Sequence, residues 1–257
     1  MSYQTIRLAR SEGIVRVTLD RPENRNSLNP TLLNELHQAL DVAESMNECR
    51  IVVIEGTRGV FCAGMDLGQA AEHGAWQNGS AERGAREFLA LLKRFRVTGR
   101  IIVASVDGEV VGGGVGLASA SDFVFATERS QFSLPEALWG LMPCCVLPFL
   151  IRRIGFQKAC TMALSTQPVS AREAEQFHLV DKIADDADHQ VRKLLFRVSK
   201  LSDSIIKDLK RYFNKMSPIS QEMEDTAAQE FARLVTSGAV QQRIMGFASH
   251  QKFPWEN

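Results

Sequence analysis

Three segments carry residues whose types and spacing suit proton transfer beside a stabilised anion. In the first, 60–67 (VFCAGMDL), Ala63 and Gly64 precede Met65 and Asp66. Glycine lets a backbone approach a ligand closely and adopt unusual dihedrals. Asp66 is placed to cap a following helix. The plainer reading is a tight strand-to-helix turn. The second segment, 106–119 (VDGEVVGGGVGLAS), sets Gly112, Gly113, Gly114 and Gly116 between a strand and an apolar helix. Free N–H groups at a helix start carry partial positive charge and suit an anion. No Lys-Ser/Thr pair follows, so this is not a phosphate-binding P-loop, and it fits a dinucleotide fingerprint poorly. Its plainer reading is a glycine-rich packing turn. The third segment, 131–140 (QFSLPEALWG), places Glu136 directly after a proline among Leu134, Leu138 and Trp139. A carboxylate lined by those residues loses hydration and its pKa rises, which suits proton transfer near neutral pH. Its plainer reading is a glutamate in the first turn of a helix.

The elements that must position these segments alternate along the chain. Ile14–Leu19 (IVRVTL) alternates apolar and polar residues like a half-buried strand. Asn29-Pro30 reads as a helix start, with Leu33, Leu36, Leu40 and Ala43 following at helical spacing. Residues 51–54 form a buried strand, and Phe88, Leu91, Leu92 and Phe95 mark an amphipathic helix. Ile101–Val106 and Phe123–Ala126 read as further buried strands. This alternation predicts an α/β fold with a largely parallel sheet. From about residue 186 only helical spacing remains. The expected division is a core over 1–190 and a helical oligomerisation region over 191–257.

Thirty basic residues balance thirty acidic ones, so the net charge is zero. That balance gives no sign of a nucleic-acid partner. No run approaches the ~20 apolar residues of a membrane helix, and the N-terminus lacks the apolar core of a secretory signal. A cytoplasmic protein without nucleic-acid or membrane partners is expected. The five cysteines (Cys49, Cys62, Cys144, Cys145 and Cys160) show neither a CxxC pair nor zinc spacing. Free thiols and no bound metal follow from that.

Four segments, RPENRNSL (21–28), FCAGMDL (61–67), the glycine segment and FSLPEALWG (132–140), stand in the order and spacing of the crotonase family. The chain resembles this enoyl-CoA hydratase/isomerase superfamily from about residue 3 to 186. Within it, PCCVLPFLIRRIG (143–155), FQKACTMALSTQPVS (156–170) and FPWEN (253–257) look most like the hydroxymethylglutaryl-ACP dehydratases of polyketide β-branching cassettes.

The resemblance implies a ββα spiral core with a C-terminal helical region that builds trimers, often paired into hexamers. It implies an oxyanion hole from the N–H groups of Met65 and Gly113, with Glu136 exchanging the α-proton. Cys62, Ala63 and Gly64 would contact the pantetheine arm. Asp66, Gly112, Gly114, Leu134 and Trp139 complete the expected substrate-binding set. Family hydratases carry a second catalytic glutamate, and its position falls on Gly116 here, which puts a two-carboxylate water addition in doubt. Asp66, Glu72 and His73 are secondary candidates for a further proton donor. A helix cap and solvated surface are their plainer readings.

The expected reaction is dehydration of a 3-hydroxy-3-methylglutaryl thioester to a 3-methylglutaconyl thioester. The alternatives are a Δ3,Δ2-enoyl-thioester isomerase, an enoyl-CoA hydratase, or an inert acyl-carrier binding protein. No cofactor is expected beyond the phosphopantetheine that carries the substrate. An acyl-carrier protein is the expected partner, beside a homotrimer or hexamer. Lys207, Lys210, Arg211 and Lys215 on one helix face, or Arg152 and Arg153, would receive an acidic carrier. His37, His178 and His189 show no catalytic pattern. His250 lies near a C-terminus that, in this family, can fold over a neighbouring site. Trp139 and Trp255 read as core or interface residues.

Overall fold

Apolar β-branched runs near the start of each repeating unit build a six-stranded sheet. The computed structural model describes residues 3–72, 76 and 79–250. Strands β1 (Ile6–Ser11) and β2 (Ile14–Leu19) form an antiparallel hairpin. Helix α1 (Pro30–Ser45) follows, capped as its sequence predicts: the Asn29 side chain accepts from the Leu32 N–H at 2.8 Å. A ββα unit then repeats. The first unit is β3 (Ile51–Glu55), β4 (Val60–Cys62), α2 (Leu67–Glu72) and α3 (Ser80–Val97). The second is β5 (Ile101–Val106), β6 (Glu109–Val111) and α4 (Gly113–Ala120). The third is β7 (Phe123–Ala126), β8 (Gln131–Ser133), a 3-10 turn over Glu136–Trp139, and α5 (Leu147–Ile154). Next come α6 (Phe156–Ser165), β9 (Val169–Ser170), α7 (Ala171–Gln176) and β10 (Lys182–Ile183). Four helices close the described chain: α8 (Ala187–Val198), α9 (Asp203–Met216), α10 (Gln221–Val235) and α11 (Gly238–His250).

The large sheet runs β1-β2-β3-β5-β7-β10 and is parallel from β2 onward. Its inner strands β3, β5 and β7 are apolar on both faces, as buried parallel strands must be. Val17, Val52, Ile54, Ile102 and Val124 face the main core with α1 and α3. Ile51, Val53, Ile101, Val103 and Phe125 face the other way, against Val191, Val198 and Ile206 of α8 and α9. Helices α8 and α9 are therefore structural cover for this face of the sheet. Residue 190, the expected boundary, lies inside α8.

The second bodies of the units, β4, β6, β8 and β9, form a smaller sheet in that order, with β4, β6 and β8 parallel. Their short runs leave no clear periodicity in the sequence. Their parallel pairing nonetheless decides where chemistry can occur. The chain leaves all three at the same edge, so residues 63–66, 112–113 and 134–136 emerge side by side.

One expectation fails at α9. Lys210 does not join Lys207, Arg211 and Lys215 on a solvated face. Its ammonium is buried and donates to Asp122 at 2.6 Å and to the Arg100 carbonyl at 2.9 Å. Arg153 is likewise committed inward, to Asp181 and to the Leu179 and Ser121 carbonyls, each at 2.5–2.9 Å. Lys207, Arg211, Lys215 and Arg152 remain exposed. No helix among the described residues is long and apolar enough to cross a membrane.

Candidate active site

The 21–28 loop explains how the 62–66 segment keeps one N–H unused. Arg25 and Asn26 take left-handed dihedrals (φ 51° and 55°). Asn26 then accepts from the Arg21 N–H at 2.9 Å and donates to the Val60 carbonyl at 2.8 Å. The folded loop binds the neighbouring segment residue by residue. Ala63 N–H donates to Arg25 O (3.1 Å), Leu28 N–H to Gly64 O (2.6 Å) and Asp66 N–H to Leu28 O (3.1 Å). The Met65 N–H falls between these bonds and meets no acceptor among the described residues. An unpaired N–H in so thoroughly bonded a segment is a donor held ready for a ligand.

Gly64 brings that donor to the glycine helix. It has a φ of 82°, and a Cβ there would stand 2.9 Å from the Val111 carbonyl and 3.3 Å from the Gly113 nitrogen. Alanine would thus obstruct the second donor. Gly113 is the first residue of α4, so its N–H has no partner within the helix. The Val115 and Gly116 N–H groups turn back to the Gly112 carbonyl at 2.9 and 3.3 Å. Two free N–H groups therefore meet at a helix N-terminus, the arrangement that stabilises an oxyanion.

Glu136 stands over the same point. Its Oε1 lies 3.0 Å from where a Gly112 Cβ would be, so only glycine at 112 leaves room for the carboxyl. Its Oε2 is buried and has no hydrogen-bond partner. Burial pushes the Glu136 pKa up to about 7, against a small opposing effect of its own backbone N–H. A carboxyl with one oxygen unbonded and a pKa near neutrality is a proton acceptor in search of a substrate proton.

The remaining expected residues divide by what they touch. Asp66 is buried and fully engaged: Oδ1 accepts from the Gln69 N–H at 3.0 Å and Oδ2 from Arg21 at 2.8 Å. It positions the oxyanion segment. Gly114 packs on β4, where a Cβ would meet the Cys62 carbonyl at 2.5 Å. Cys62 is fully buried, and burial holds its thiol up at about 12, so only its backbone is offered to a ligand. Leu134 is buried in the main core. Trp139 is buried in a separate cluster with Leu141, Val235, Val240 and Ile244, against which Met65 and Leu67 pack. Gly116 is tightly packed: a Cβ would meet Phe88 Cζ at 3.0 Å and Val146 Cγ2 at 3.3 Å, so those side chains would have to give by a few tenths of an ångström. The side chain of Glu72, all of His73, the His250 side chain and residues 251–257, including Trp255, lie outside the described residues. Among those described, no group of three or more acidic, His or Cys side chains is arranged for a metal.

Sequence reasoning did not assign roles to Arg21, Asn26, Leu28 or Phe88. The dense turn chemistry of RPENRN was the available signal for the first two. Leu28 and Phe88, which flank Gly113, look like ordinary core residues in sequence.

Comparison with known proteins agrees with this geometry. Residues 9–257 match the family described as enoyl-CoA hydratase/isomerase. The chain is similar to the bacillaene synthase dehydratase PksH of Bacillus subtilis, 34% identical over 100% of this chain and 98% of that one. It is 36% identical to an enoyl-CoA hydratase of Rhodobacter capsulatus over 74% of this chain and 72% of the other. The crystal structure of the Bacillus subtilis polyketide-biosynthesis enoyl-CoA hydratase PksH superposes with a TM-score of 0.91 at 32% identity, covering 98% of this chain and 100% of that one.

Proposed function

The chain belongs to the enoyl-CoA hydratase/isomerase family, and on that premise we propose that it dehydrates a 3-hydroxy-3-methylglutaryl thioester to a 3-methylglutaconyl thioester in polyketide β-methyl branching. One observation carries the reading: an unpartnered carboxyl, Glu136, faces two free N–H donors, while Gly116 puts no side chain at the position of a second carboxylate. The thioester oxygen sits between the Met65 and Gly113 N–H groups. Glu136 takes the α-proton, and the negative charge develops where those donors already point. As the C=C bond forms and the β-carbon–oxygen bond breaks, Glu136 returns its proton to the departing β-hydroxyl on the same face, giving water and the starting carboxylate. This sequence needs no metal and no redox cofactor. The similarity to a dehydratase of polyketide synthesis over the full chain supports elimination as the physiological direction.

The carrier is an acyl-carrier protein bearing the substrate on phosphopantetheine, with Cys62, Ala63 and Gly64 offering backbone contacts to that arm. Lys207, Arg211, Lys215 and Arg152, all exposed, suit an acidic carrier. The protein is a homotrimer or hexamer in the cytoplasm. Ile205, Leu209, Tyr212, Phe213 and Met216 form an exposed apolar stripe on α9, more than a solitary helix face leaves to water.

The test is mass spectrometry of the acyl group after incubation with 3-hydroxy-3-methylglutaryl-loaded carrier protein, and separately with the CoA thioester. Loss of one water on the carrier, abolished by Glu136→Gln, is the expected result. No loss on either carrier rejects the substrate. Conversion of a 3-enoyl thioester instead would make the protein an isomerase, which also needs only one acid/base group.

A further inference from the structure

The oxyanion donor at Gly113 stands beside an apolar wall. Gly113 and Gly116 are three residues apart and share a face of α4. Helix α3 lays the ring edge of Phe88 across both. A Cβ on Gly113 would stand 3.6 Å from Phe88 Cζ, and a Cβ on Gly116 would stand 3.0 Å from the same atom. Leu28 Cδ1 closes the wall at the Gly113 end, 2.6 Å from that Cβ. Val146 Cγ2 closes it at the Gly116 end, at 3.3 Å. All three side chains belong to the main core, yet Leu28 and Phe88 each keep 9% of their surface exposed. The core therefore reaches its edge where the donor begins.

We propose, resting on the dehydratase reading above, that Phe88, with Val146 behind it, seats the β-methyl branch of the substrate and selects for it. The thioester oxygen is held at the Gly113 N–H, and the β-carbon is two bonds from the carbonyl carbon. A hydroxyl, a carboxymethyl arm and a methyl group stand on that β-carbon. The hydroxyl turns to Glu136, which returns the proton to it. The carboxylate of the arm would lose its hydration against Leu28, Phe88 and Val146, whose side chains offer no donor. The methyl group is the one substituent that this wall suits.

Gly116 belongs to the same device. It brings no polar group to this face of α4, so nothing there orients a water toward the β-carbon, and the Phe88 edge and Val146 methyl are left for an apolar substituent. A substrate with hydrogen in place of the methyl leaves that contact unmade. One such group in an apolar pocket discriminates ~10- to 200-fold in kcat/KM. The wall thus acts on the choice of substrate, while Glu136 and the two N–H donors carry the chemistry.

The test compares 3-hydroxy-3-methylglutaryl and 3-hydroxyglutaryl thioesters on the same carrier. Water loss is followed by mass spectrometry for wild type, Phe88→Leu and Val146→Ala, and the ratio of the two kcat/KM values is read for each. Wild type is expected to prefer the methylated substrate ~10- to 200-fold. Phe88→Leu withdraws the ring edge and should lower that ratio at least about fivefold. Val146→Ala opens the other end of the wall, should lower the ratio in the same direction, and stands in if Phe88→Leu does not fold. Wild type that handles both substrates within about twofold would overturn the proposal. So would variants that lose rate on both substrates together at an unchanged ratio, the mark of residues that only pack the core. Water loss from neither substrate by wild type would defeat the dehydratase reading and this inference with it, whereas water loss without preference defeats this inference alone.

Discussion

Glu136 should cost the protein stability in the pH range where it works. Its carboxyl is buried with Oε2 unbonded, and its pKa stands at about 7 instead of the usual 4.5. The folded state therefore prefers the protonated form. Below the unfolded-state value both states hold the proton and there is no penalty. As pH rises from there the unfolded chain ionises freely and the folded chain does not, so stability falls until Glu136 itself ionises. Integrating these values gives a penalty of roughly 1 kcal/mol at pH 5 and roughly 3 kcal/mol at pH 8. Glu136→Gln cannot ionise and lacks this slope. Whatever glutamine costs in packing or hydrogen bonding is independent of pH and drops out of the comparison. The measurement is urea unfolding of both proteins at pH 5 and pH 8 at equal protein concentration. The variant should gain about 2–3 kcal/mol relative to wild type across that interval, or roughly 5–10 °C in melting temperature. A difference that stays constant between the two pH values would mean that Glu136 titrates normally, and the argument for its role as base near neutrality would fall with it.

Three further outcomes follow from the same geometry. Because Glu136 must be ionised to accept a proton, kcat/KM should rise about tenfold per pH unit well below 7 and level off above it; a profile flat from pH 5 to 8 contradicts the assignment. Gly64→Ala introduces a Cβ at a φ of 82°, 3.3 Å from the Gly113 nitrogen, and should lower kcat ~100-fold or more with an unchanged circular dichroism spectrum; a loss under threefold would remove Gly113 from the oxyanion hole. Lys210→Met leaves Asp122 without its ammonium partner beneath the sheet and should destabilise the protein by about 3 kcal/mol in urea; a loss below about 1 kcal/mol would show that Asp122 is hydrated in the folded state.

How much of this could be read in the sequence depended on the length scale of each signal. Strands β2, β3, β5 and β7 of the large sheet and α1, α3 and α8 to α10 carry their own periodicity, so 14–19, 51–54, 101–106 and 123–126 could be placed directly, whereas β1 and the two-residue β10 went unread. The small sheet could not: β4, β6, β8 and β9 span two or three residues each, and parallel pairing leaves no local mark. Yet that sheet gathers the three segments. Glu136 stands out in the sequence as a carboxylate among apolar residues, whereas Met65 and Gly113 are singled out as donors only by the resemblance of their segments to the family's motifs. The Arg21–Asp66 pair that holds Met65 in place was not, since forty-five residues separate its partners. Lys210 shows the opposite failure. A lysine at helical spacing from Lys207, Arg211 and Lys215 looks solvated until the bend before β7 that sets Asp122 against it is known.

The last helices bear on the chemistry of the site, which composition alone would not suggest. The 3-10 turn that holds Glu136 ends at Trp139, whose ring meets Phe247 of α11 edge-on at 5.3 Å. Arg243 of the same helix donates to the Trp139 carbonyl at 3.1 Å and lies against Gly140, which has a φ of 80°. Met65, whose N–H is one oxyanion donor, packs its side chain on the same cluster of Val235, Val240 and Ile244. One apolar floor thus supports the base from one side and a donor from the other. An elevated pKa requires that water be kept from the carboxyl, and an oxyanion hole requires donors that do not relax toward solvent. Both requirements fall on the contact between α11, α10 and the 3-10 turn. The seating of those helices therefore also bears on the proton affinity of Glu136.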